Sequence, residues 1–128
     1  MDYQKQNEVL QQCIKDCMNC LTEMVRNSIE EDMQSHCVEC VQICEITSTA
    51  ILHESSFRVK YMYLCADVCD WCADECEKYD LGSSQICAKS CRECAKELRA
   101  IPSDSIQKNK QKQEPHGENN PTSASWLG

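Results

Sequence analysis

The chain has 128 residues, enough for one domain of ordinary size and a tail, with a formal net charge of −8 and 13 cysteines. The negative charge disfavours nucleic acid or an anionic membrane surface as a partner. No apolar run approaches the roughly 20 residues that a membrane-spanning helix needs, so no membrane span is expected.

The cysteine content is the most unusual feature of the composition. In a short secreted chain it would indicate a disulfide scaffold. Three observations favour reduced thiols instead. The segment Met1–Glu8 contains no apolar signal sequence, the three glycines and three prolines are few for a loop-rich disulfide fold, and an odd number leaves at least one thiol unpaired. We therefore expect a cytoplasmic protein with free thiols that face metal ions.

Composition divides the chain into two regions. Residues 1–101 contain one glycine and no proline and are predicted to form a helical domain, whereas residues 102–128 hold all three prolines and are predicted to form a flexible tail. Breaks in the first region predict four helices. Their predicted limits are 4–27, 30–53, 57–79 and 84–100.

Local signals suggest how these helices begin and end. Ser28 followed by Glu31 has the form of a capping box and predicts a restart at the second helix. Ser56 is a candidate cap for the third helix. Gly82 is predicted to lie just after the third helix, with one of the next two serines as the cap of the fourth.

The cysteines form one group in each predicted helix, with steps of three or four residues inside every group. The groups are Cys13, Cys17 and Cys20; Cys37, Cys40 and Cys44; Cys65, Cys69, Cys72 and Cys76; and Cys87, Cys91 and Cys94. Such steps place each group on one helix face and match the a/d spacing that points inward in a bundle. The sequence therefore predicts an all-α, antiparallel four-helix bundle with a cysteine-lined core.

Residues beyond the cysteines on the same faces predict two different ends of this core. Sulfur ligands are expected near one end, formed by Met24, Met33, Cys76 and Cys87. Hydrocarbon side chains are expected to close the other end, formed by Leu10, Ile51, Met62 and Leu98.

Cu(I) suits such a core because it is soft, prefers thiolate and thioether ligands and accepts low coordination numbers. If thiolates bridge metals, capacity approaches about one ion per thiol, and each Cu(I) replaces one S–H proton so that the filled core stays near neutral. Cysteine acting only as a small hydrophobe is disfavoured at 13 inward positions. No activated nucleophile with a base is evident, so binding and storage are favoured over catalysis.

An iron–sulfur or zinc-binding redox or metal-buffer module is the alternative. The spacing C-x3-C-x2-C occurs three times, starting at Cys13, Cys65 and Cys87, and is shared with radical-SAM enzymes. Those enzymes need a barrel-sized chain and glycine-rich cofactor contacts. Structural zinc usually takes four ligands from loop knuckles, and a buried four-thiolate zinc site retains two negative charges.

The run from Cys65 to Cys76, with matching groups on the other helices, resembles the cysteine-rich four-helix-bundle copper storage proteins over about residues 10–100. The resemblance implies that many Cu(I) ions are stored inside the bundle. It also implies a homo-oligomer, commonly a tetramer. Without a signal sequence, the chain is similar to the cytosolic branch of that family.

The predicted metal ligands are all 13 cysteines together with Met24, Met33 and His36. The two methionines stand where the family members richest in cysteine have further thiols, so this end is the candidate entry for copper. Plain core packing is the other interpretation of both methionines. His36 lies at the edge of the cysteine face near that end. No role is assigned to His53 or His116.

Two further features concern partners. Tyr61, Leu64, Val68 and Trp71 form a second stripe on the third helix, which either packs against a neighbouring helix or forms a subunit interface. The segment Thr122–Gly128 loosely resembles the C-terminal peptides that load cargo into encapsulin shells. A disordered extension or a cloning remnant is the other interpretation of this segment.

Overall fold

The computed structural model describes residues 2–29 and 34–103, which contain four α-helices and no strand. The helices are α1 (Gln4–Arg26), α2 (Ser35–Leu52), α3 (Arg58–Cys76) and α4 (Gly82–Arg99). The all-α prediction and the number of helices are confirmed. The predicted start of α2 was wrong, since the helix begins at Ser35, whereas the end of α3 at Cys76 and the start of α4 at Gly82 lie within three residues of the predicted limits. Residues 30–33 and the tail from residue 104 lie outside the described residues.

Two helices end in a left-handed residue that is not glycine. Ser28 after α1 has φ 57° and Glu54 after α2 has φ 55°. At the first, the Ile29 N–H donates to the Met24 carbonyl at 3.0 Å; at the second, the Ser55 N–H donates to the Ala50 carbonyl at 2.9 Å. These are Schellman ends. Ser28 therefore terminates α1, and the prediction that it caps α2 was wrong.

The beginning of α4 also differs from the prediction. Gly82 is the first helical residue, preceded by Leu81 in an extended conformation, so it does not terminate α3. The Glu23 carboxylate of α1 accepts hydrogen bonds from the Ser83 hydroxyl at 2.5 Å and from the Ser83 N–H at 3.4 Å. A carboxylate from another helix thus satisfies a free donor at the positive end of α4.

The predicted cap at Ser56 was likewise wrong. Phe57 precedes α3, and no side chain makes a cap hydrogen bond there. The neighbouring Ser55 hydroxyl instead accepts a hydrogen bond from the Phe57 N–H at 3.1 Å. This bond orders the turn between α2 and α3 without capping a helical N–H.

Each helix packs against its neighbours in sequence, and α4 closes the ring against α1. Polar contacts show that these neighbours run antiparallel. Near the start of α1, the Gln6 amide donates to the Glu97 carbonyl at 3.2 Å in α4, and the Gln11 amide donates to the Ser48 hydroxyl at 2.9 Å in α2. Glu23 at the other end of α1 meets the start of α4. The arrangement is an antiparallel four-helix bundle, as predicted.

The α3–α4 contact combines small buried residues with exposed ion pairs. Ala66, Ala73, Ala88 and Ala95 are buried, which lets these two helices approach closely. On the outside, Arg92 contacts Asp74 at 2.6 Å and Arg99 contacts Asp67 at 2.8 Å. Exposed pairs contribute about 0–1 kcal/mol each, so the buried face provides most of the stability of this contact. Within the described residues, no helix has the length and apolar character to span a membrane.

Candidate metal centre

All 13 cysteines occupy the interior of the bundle. Every thiol is fully buried at 0% exposure, and all 13 are free rather than paired in disulfides. The three- and four-residue steps predicted this placement because they keep each group on the inward face of its helix. The prediction of a cysteine-lined core is confirmed.

The centre of the core is a dense cluster of sulfur atoms from all four helices. The Cys13 Sγ lies 3.7 Å from Cys91, 3.9 Å from Cys17 and Cys40, and 4.0 Å from Cys69. The Cys91 Sγ lies 3.8 Å from both Cys17 and Cys40. Such spacings let one metal ion contact sulfurs from several helices at once.

Overlapping sets of four ligands connect this centre to both ends of the core. In each set, one ligand atom per residue lies within 4.8 Å of the others. The sets that contain thiols alone include Cys13, Cys40, Cys44 and Cys69; Cys13, Cys17, Cys40 and Cys91; Cys17, Cys72, Cys87 and Cys91; and Cys20, Cys37, Cys76 and Cys87. Since neighbouring sets share or adjoin the same sulfurs, the thiols form a continuous column.

One end of the column contains a histidine. We call His36, Cys37, Cys72 and Cys76 the His36 set. The His36 Nδ1 lies 3.5 Å from the Cys37 Sγ, 3.6 Å from Cys72 and 3.7 Å from Cys76. The ring is 1% exposed and stacks on Tyr79 with 6.4 Å between centroids. The predicted position of His36 beside the cysteine face is confirmed, and its burial is deeper than the expected edge position.

The other end is closed by hydrocarbon. Cys44 and Cys65 lie there with 3.6 Å between their sulfurs. Leu10, Met62 and Leu98, each one helical turn beyond the cysteines of its helix, are 0% exposed. We call these three residues the hydrocarbon layer. Ile51, predicted to join them, is only half-buried.

Hydrogen bonds between thiols raise the pKa of some cysteines in the core and lower the pKa of others. Contacts with Cys13, Cys40 and other thiols, together with burial, raise the pKa of Cys69 far above its usual range. Hydrogen bonds from Cys44 and Cys69 lower the pKa of Cys65, although burial opposes this. Because each thiolate raises the pKa of its neighbours, only a few thiolates coexist, and most of the metal-free core is neutral.

The remaining predicted residues have different outcomes. Met24 is fully buried in the core, at the end of α1 nearest the His36 set. Met33, His116 and the segment Thr122–Gly128 lie outside the described residues. His53 follows the last residue of α2 and is exposed, away from the thiols.

Two buried hydroxyls on the cysteine faces were missed. Ser84 is 0% exposed, and its Oγ lies 3.4 Å from the Cys20 Sγ. Thr47 is also 0% exposed and donates a hydrogen bond to the Ile43 carbonyl at 2.7 Å. Ser84 is three residues before Cys87 and Thr47 is three after Cys44, so the same spacing could have identified both.

A column of mutually accessible thiols in a four-helix bundle defines a protein that binds several soft metal ions in its interior. The comparison with protein families agrees: residues 1–103 match the copper storage protein model. The chain belongs to the copper storage protein family.

Similar proteins have been found in Bacillus subtilis. The uncharacterized cysteine-rich protein YhjQ of strain 168 is 35% identical over 93 residues, which are 70% of this chain and 85% of YhjQ. The Cu(I)-bound copper storage protein BsCsp3 is 30% identical with a TM-score of 0.74, over 77% of this chain and 96% of that one. Apo-Csp3 from B. subtilis is 31% identical with a TM-score of 0.72, over 77% and 97%.

Proposed function

We propose that this protein stores multiple Cu(I) ions inside the bundle. The observation that carries the proposal is the continuous column of buried thiols, with neighbouring sulfurs such as Cys17 and Cys87 only 3.3 Å apart. Sulfurs at this spacing favour bridging, in which one thiolate binds two Cu(I) ions and each ion binds two or three sulfurs. Bridging lets the number of ions approach the number of thiols.

The proposed ligands are the 13 cysteines, Met24, Met33 and His36. Fully buried thiols with raised pKa values exchange their protons for Cu(I), so the charge of the core changes little on loading. Met24 offers a thioether, which binds Cu(I) more weakly than thiolate does and suits a site of entry. Storage is favoured over catalysis because His36, the imidazole in contact with the thiols, is 1% exposed and gives a substrate little access.

An anaerobic titration of the reduced protein with Cu(I), in competition with a chromophoric Cu(I) chelator, tests storage. We expect the protein to retain about ten or more ions per chain, as the number of bridging thiols implies. Replacing two central thiols together, Cys13→Ser and Cys91→Ser, should lower the capacity by about two ions or more while the helical circular dichroism is retained. Saturation at one or two ions in the unmodified protein would contradict storage.

The role of the thioether is tested by Met24→Leu, which keeps an apolar side chain of similar volume. We expect slower copper uptake or the loss of about one ion. Met18→Leu is the matched control because Met18 is 47% exposed on the same helix. Equal copper uptake by both variants and the unmodified protein would assign Met24 to packing alone.

We also propose a homo-oligomer, a tetramer by family resemblance, that forms through the stripe on α3. Leu64 is 52% exposed and Trp71 is 40% exposed, so two large apolar side chains of the stripe are available to a partner subunit. Leu64→Lys should lower the mass measured by light scattering. Leu52→Lys, at a residue 73% exposed on α2, is the control. An unchanged mass in Leu64→Lys would rule out this interface.

The same proposal includes the division of the chain into a domain and a tail, and the location of the protein in the cell. Residues 1–101 would form the copper-binding domain, and residues 102–128 a tail that ends in a docking peptide for an encapsulin shell in the cytoplasm. Support for the boundary comes from Ile101, which is 6% exposed and accepts a hydrogen bond from the Tyr63 hydroxyl. Removal of Thr122–Gly128 should abolish co-purification with the shell and leave copper capacity unchanged. Retained co-purification would exclude the docking role.

A further inference from the structure

The His36 set mixes one nitrogen with three sulfurs, unlike the four all-thiol sets described above. His36 and Cys37 come from the start of α2, whereas Cys72 and Cys76 come from the end of α3. All four residues are buried, and their ligand atoms lie within 4.8 Å of one another. Two adjacent helices thus each contribute two ligands to one point at the end of the core.

Five of the six ligand spacings are close to those of a tetrahedral zinc site, and the sixth, between the Cys37 and Cys72 sulfurs, is within 4.8 Å. With Zn–S bonds of about 2.3 Å and Zn–N bonds of about 2.0–2.1 Å, a tetrahedron places its sulfurs about 3.8 Å apart and its nitrogen about 3.5 Å from each sulfur. Here the Cys76 Sγ lies 3.9 Å from both Cys37 and Cys72. The His36 Nδ1 lies 3.5–3.7 Å from the three sulfurs.

Charge favours this set over the all-thiol sets for a divalent ion. Zn(II) with three thiolates and a neutral imidazole leaves one net negative charge in the core, whereas four thiolates leave two. The imidazole therefore lowers the cost of burial. Cys37 and Cys76 also belong to the adjacent set with Cys20 and Cys87, so one Zn(II) at the His36 set removes the ligands that a second would need there.

The two nitrogens of the buried His36 ring differ, because Nδ1 contacts three thiols whereas Nε2 does not. Among the described residues, its Nε2 is buried without a hydrogen-bond partner. Tyr79 stacks on the ring, and Trp71 contacts it edge-on with 6.2 Å between centroids. A buried imidazole with an unsatisfied nitrogen costs about 1–3 kcal/mol. An ion bound at Nδ1 leaves Nε2 unsatisfied, so the metal–nitrogen bond offsets this cost without removing it.

From these observations we propose that the His36 set is a Zn(II) site that binds one ion per chain in the copper-free protein. Three thiol protons leave as three Zn–S bonds form, and the neutral imidazole binds through Nδ1. The ion links α2 to α3 at the end of the core opposite the hydrocarbon layer. The ligand geometry of this site is present without copper, and because the same four residues are proposed copper ligands, Cu(I) and Zn(II) compete for them.

The test uses the full-length, reduced, metal-free protein under anaerobic conditions. Zn(II) is titrated in competition with a chromophoric zinc chelator, and Co(II) is used as a spectroscopic substitute. We expect one tightly bound ion per chain, with visible Co(II) bands typical of tetrahedral coordination and thiolate charge transfer. His36→Asn should weaken binding by more than about 100-fold, the upper end of the loss expected from removing an outer-shell partner.

Two matched variants locate the site. His53→Asn removes an exposed histidine beside the other end of α2, and Cys44→Ser removes a thiol near the hydrocarbon layer; both should leave the Zn(II) affinity unchanged. His36→Cys should restore tetrahedral Co(II) binding with stronger thiolate charge transfer. If His36→Asn binds Zn(II) as tightly as the unmodified protein, or if Cys44→Ser weakens binding equally, the site is elsewhere and the proposal is wrong.

Copper capacity is measured on the same preparations, which separates this proposal from storage. A protein that takes up many Cu(I) ions but no Zn(II) contradicts the zinc site and supports storage. A protein that binds one Zn(II) at His36 but only one or two Cu(I) ions supports the zinc site and contradicts storage. Helical circular dichroism identifies any variant that has lost its fold, in which case the milder His36→Gln replaces His36→Asn.

Discussion

The thiol column and the hydrocarbon layer lie in one bundle but contribute differently to it. Cys91, in the column, is surrounded by other sulfurs at 3.7–4.0 Å. Leu98, about two turns later on the same helix, belongs to a layer of larger side chains with no ionisable group. Burying a Leu or Met side chain contributes about 1.5–3 kcal/mol. The column therefore provides the metal ligands. Each residue of the layer contributes more hydrophobic stabilisation than a residue of the column does.

Raising the pH should destabilise the thiol column far more than the hydrocarbon layer. This is the largest difference in stability expected between the two regions. Thiols in the unfolded chain lose protons near the ordinary pKa of 9.0, whereas hydrogen bonds and burial raise the pKa of Cys69 and Cys91 far above it. Their contribution to stability is present below pH 9.0 and is lost as the pH rises further, by up to about 1.4 kcal/mol per pH unit for each such thiol.

We therefore expect the melting temperature of the reduced, metal-free protein to fall steeply above pH 9.0. Circular dichroism under anaerobic conditions measures this. Copper-loaded protein is the control, because its thiols have already exchanged their protons and its melting temperature should depend less on pH. A metal-free melting temperature that stays constant through this range would show that the buried thiols do not keep their protons.

Leu98→Ala should produce the next largest effect, confined to the hydrocarbon layer. Removing a fully buried Leu side chain leaves a cavity and lowers the free energy of unfolding by about 2–5 kcal/mol. Urea denaturation of the metal-free protein measures the loss. Leu52→Ala, at a residue 73% exposed, should change stability by less than about 0.5 kcal/mol.

The copper capacity of Leu98→Ala provides the comparison with the column. We expect it to equal that of the unmodified protein, since no thiol is removed. A variant that remains folded but loses several ions would show that the layer also fixes the ligand geometry.

Cys91→Ala, in the column, should have the opposite effects to Leu98→Ala: a small loss of stability and a loss of copper capacity. The side chain loses only its sulfur, so the free energy of unfolding should fall by about 1 kcal/mol, less than for Leu98→Ala. The copper capacity should fall by at least about one ion, because Cys91 contacts sulfurs on α1 and α2. Ser90→Ala, at the preceding residue, is the control for capacity. Equal capacities of Cys91→Ala and Ser90→Ala would remove Cys91 from the ligand set.

Periodicity predicted the column because its spacing is local, and a three- or four-residue step fixes the face of a helix whatever surrounds it. The hydrocarbon layer was predicted in the same way, apart from Ile51. The contact of His36 with sulfurs on both α2 and α3 required tertiary packing, since Cys72 lies 36 residues away. The same is true of Glu23, which meets Ser83 across 60 residues and has no local signal as a cap.

The predictions of the helix ends were wrong for a different reason. Glycine is the expected left-handed residue at a helix end, so Gly82 was assigned that role, while Ser28 was read as a cap for the following helix. The structure places Ser28 and Glu54 in left-handed conformations that glycine adopts more readily. A sequence alone does not reveal that a non-glycine residue accepts this strain.

Substitutions at these two helix ends should have the smallest effects on stability. They compare the two ends of the core, because Ser28 ends α1 near the His36 set and Glu54 ends α2 near the hydrocarbon layer. Ser28→Gly and Glu54→Gly each relieve about 1–2 kcal/mol of left-handed strain. Glycine also increases the entropy of the unfolded chain, by an amount worth about 0.4–1 kcal/mol. We expect each variant to gain about 0.5 kcal/mol in urea denaturation. Gln85→Gly, at an exposed position inside α4, should instead lose about 1 kcal/mol.

If the gain occurs at Glu54 but not at Ser28, the end of α1 beside the His36 set is already loose in the metal-free protein. Repeating the measurement with Zn(II) then distinguishes a flexible metal-binding end from one that is ordered throughout.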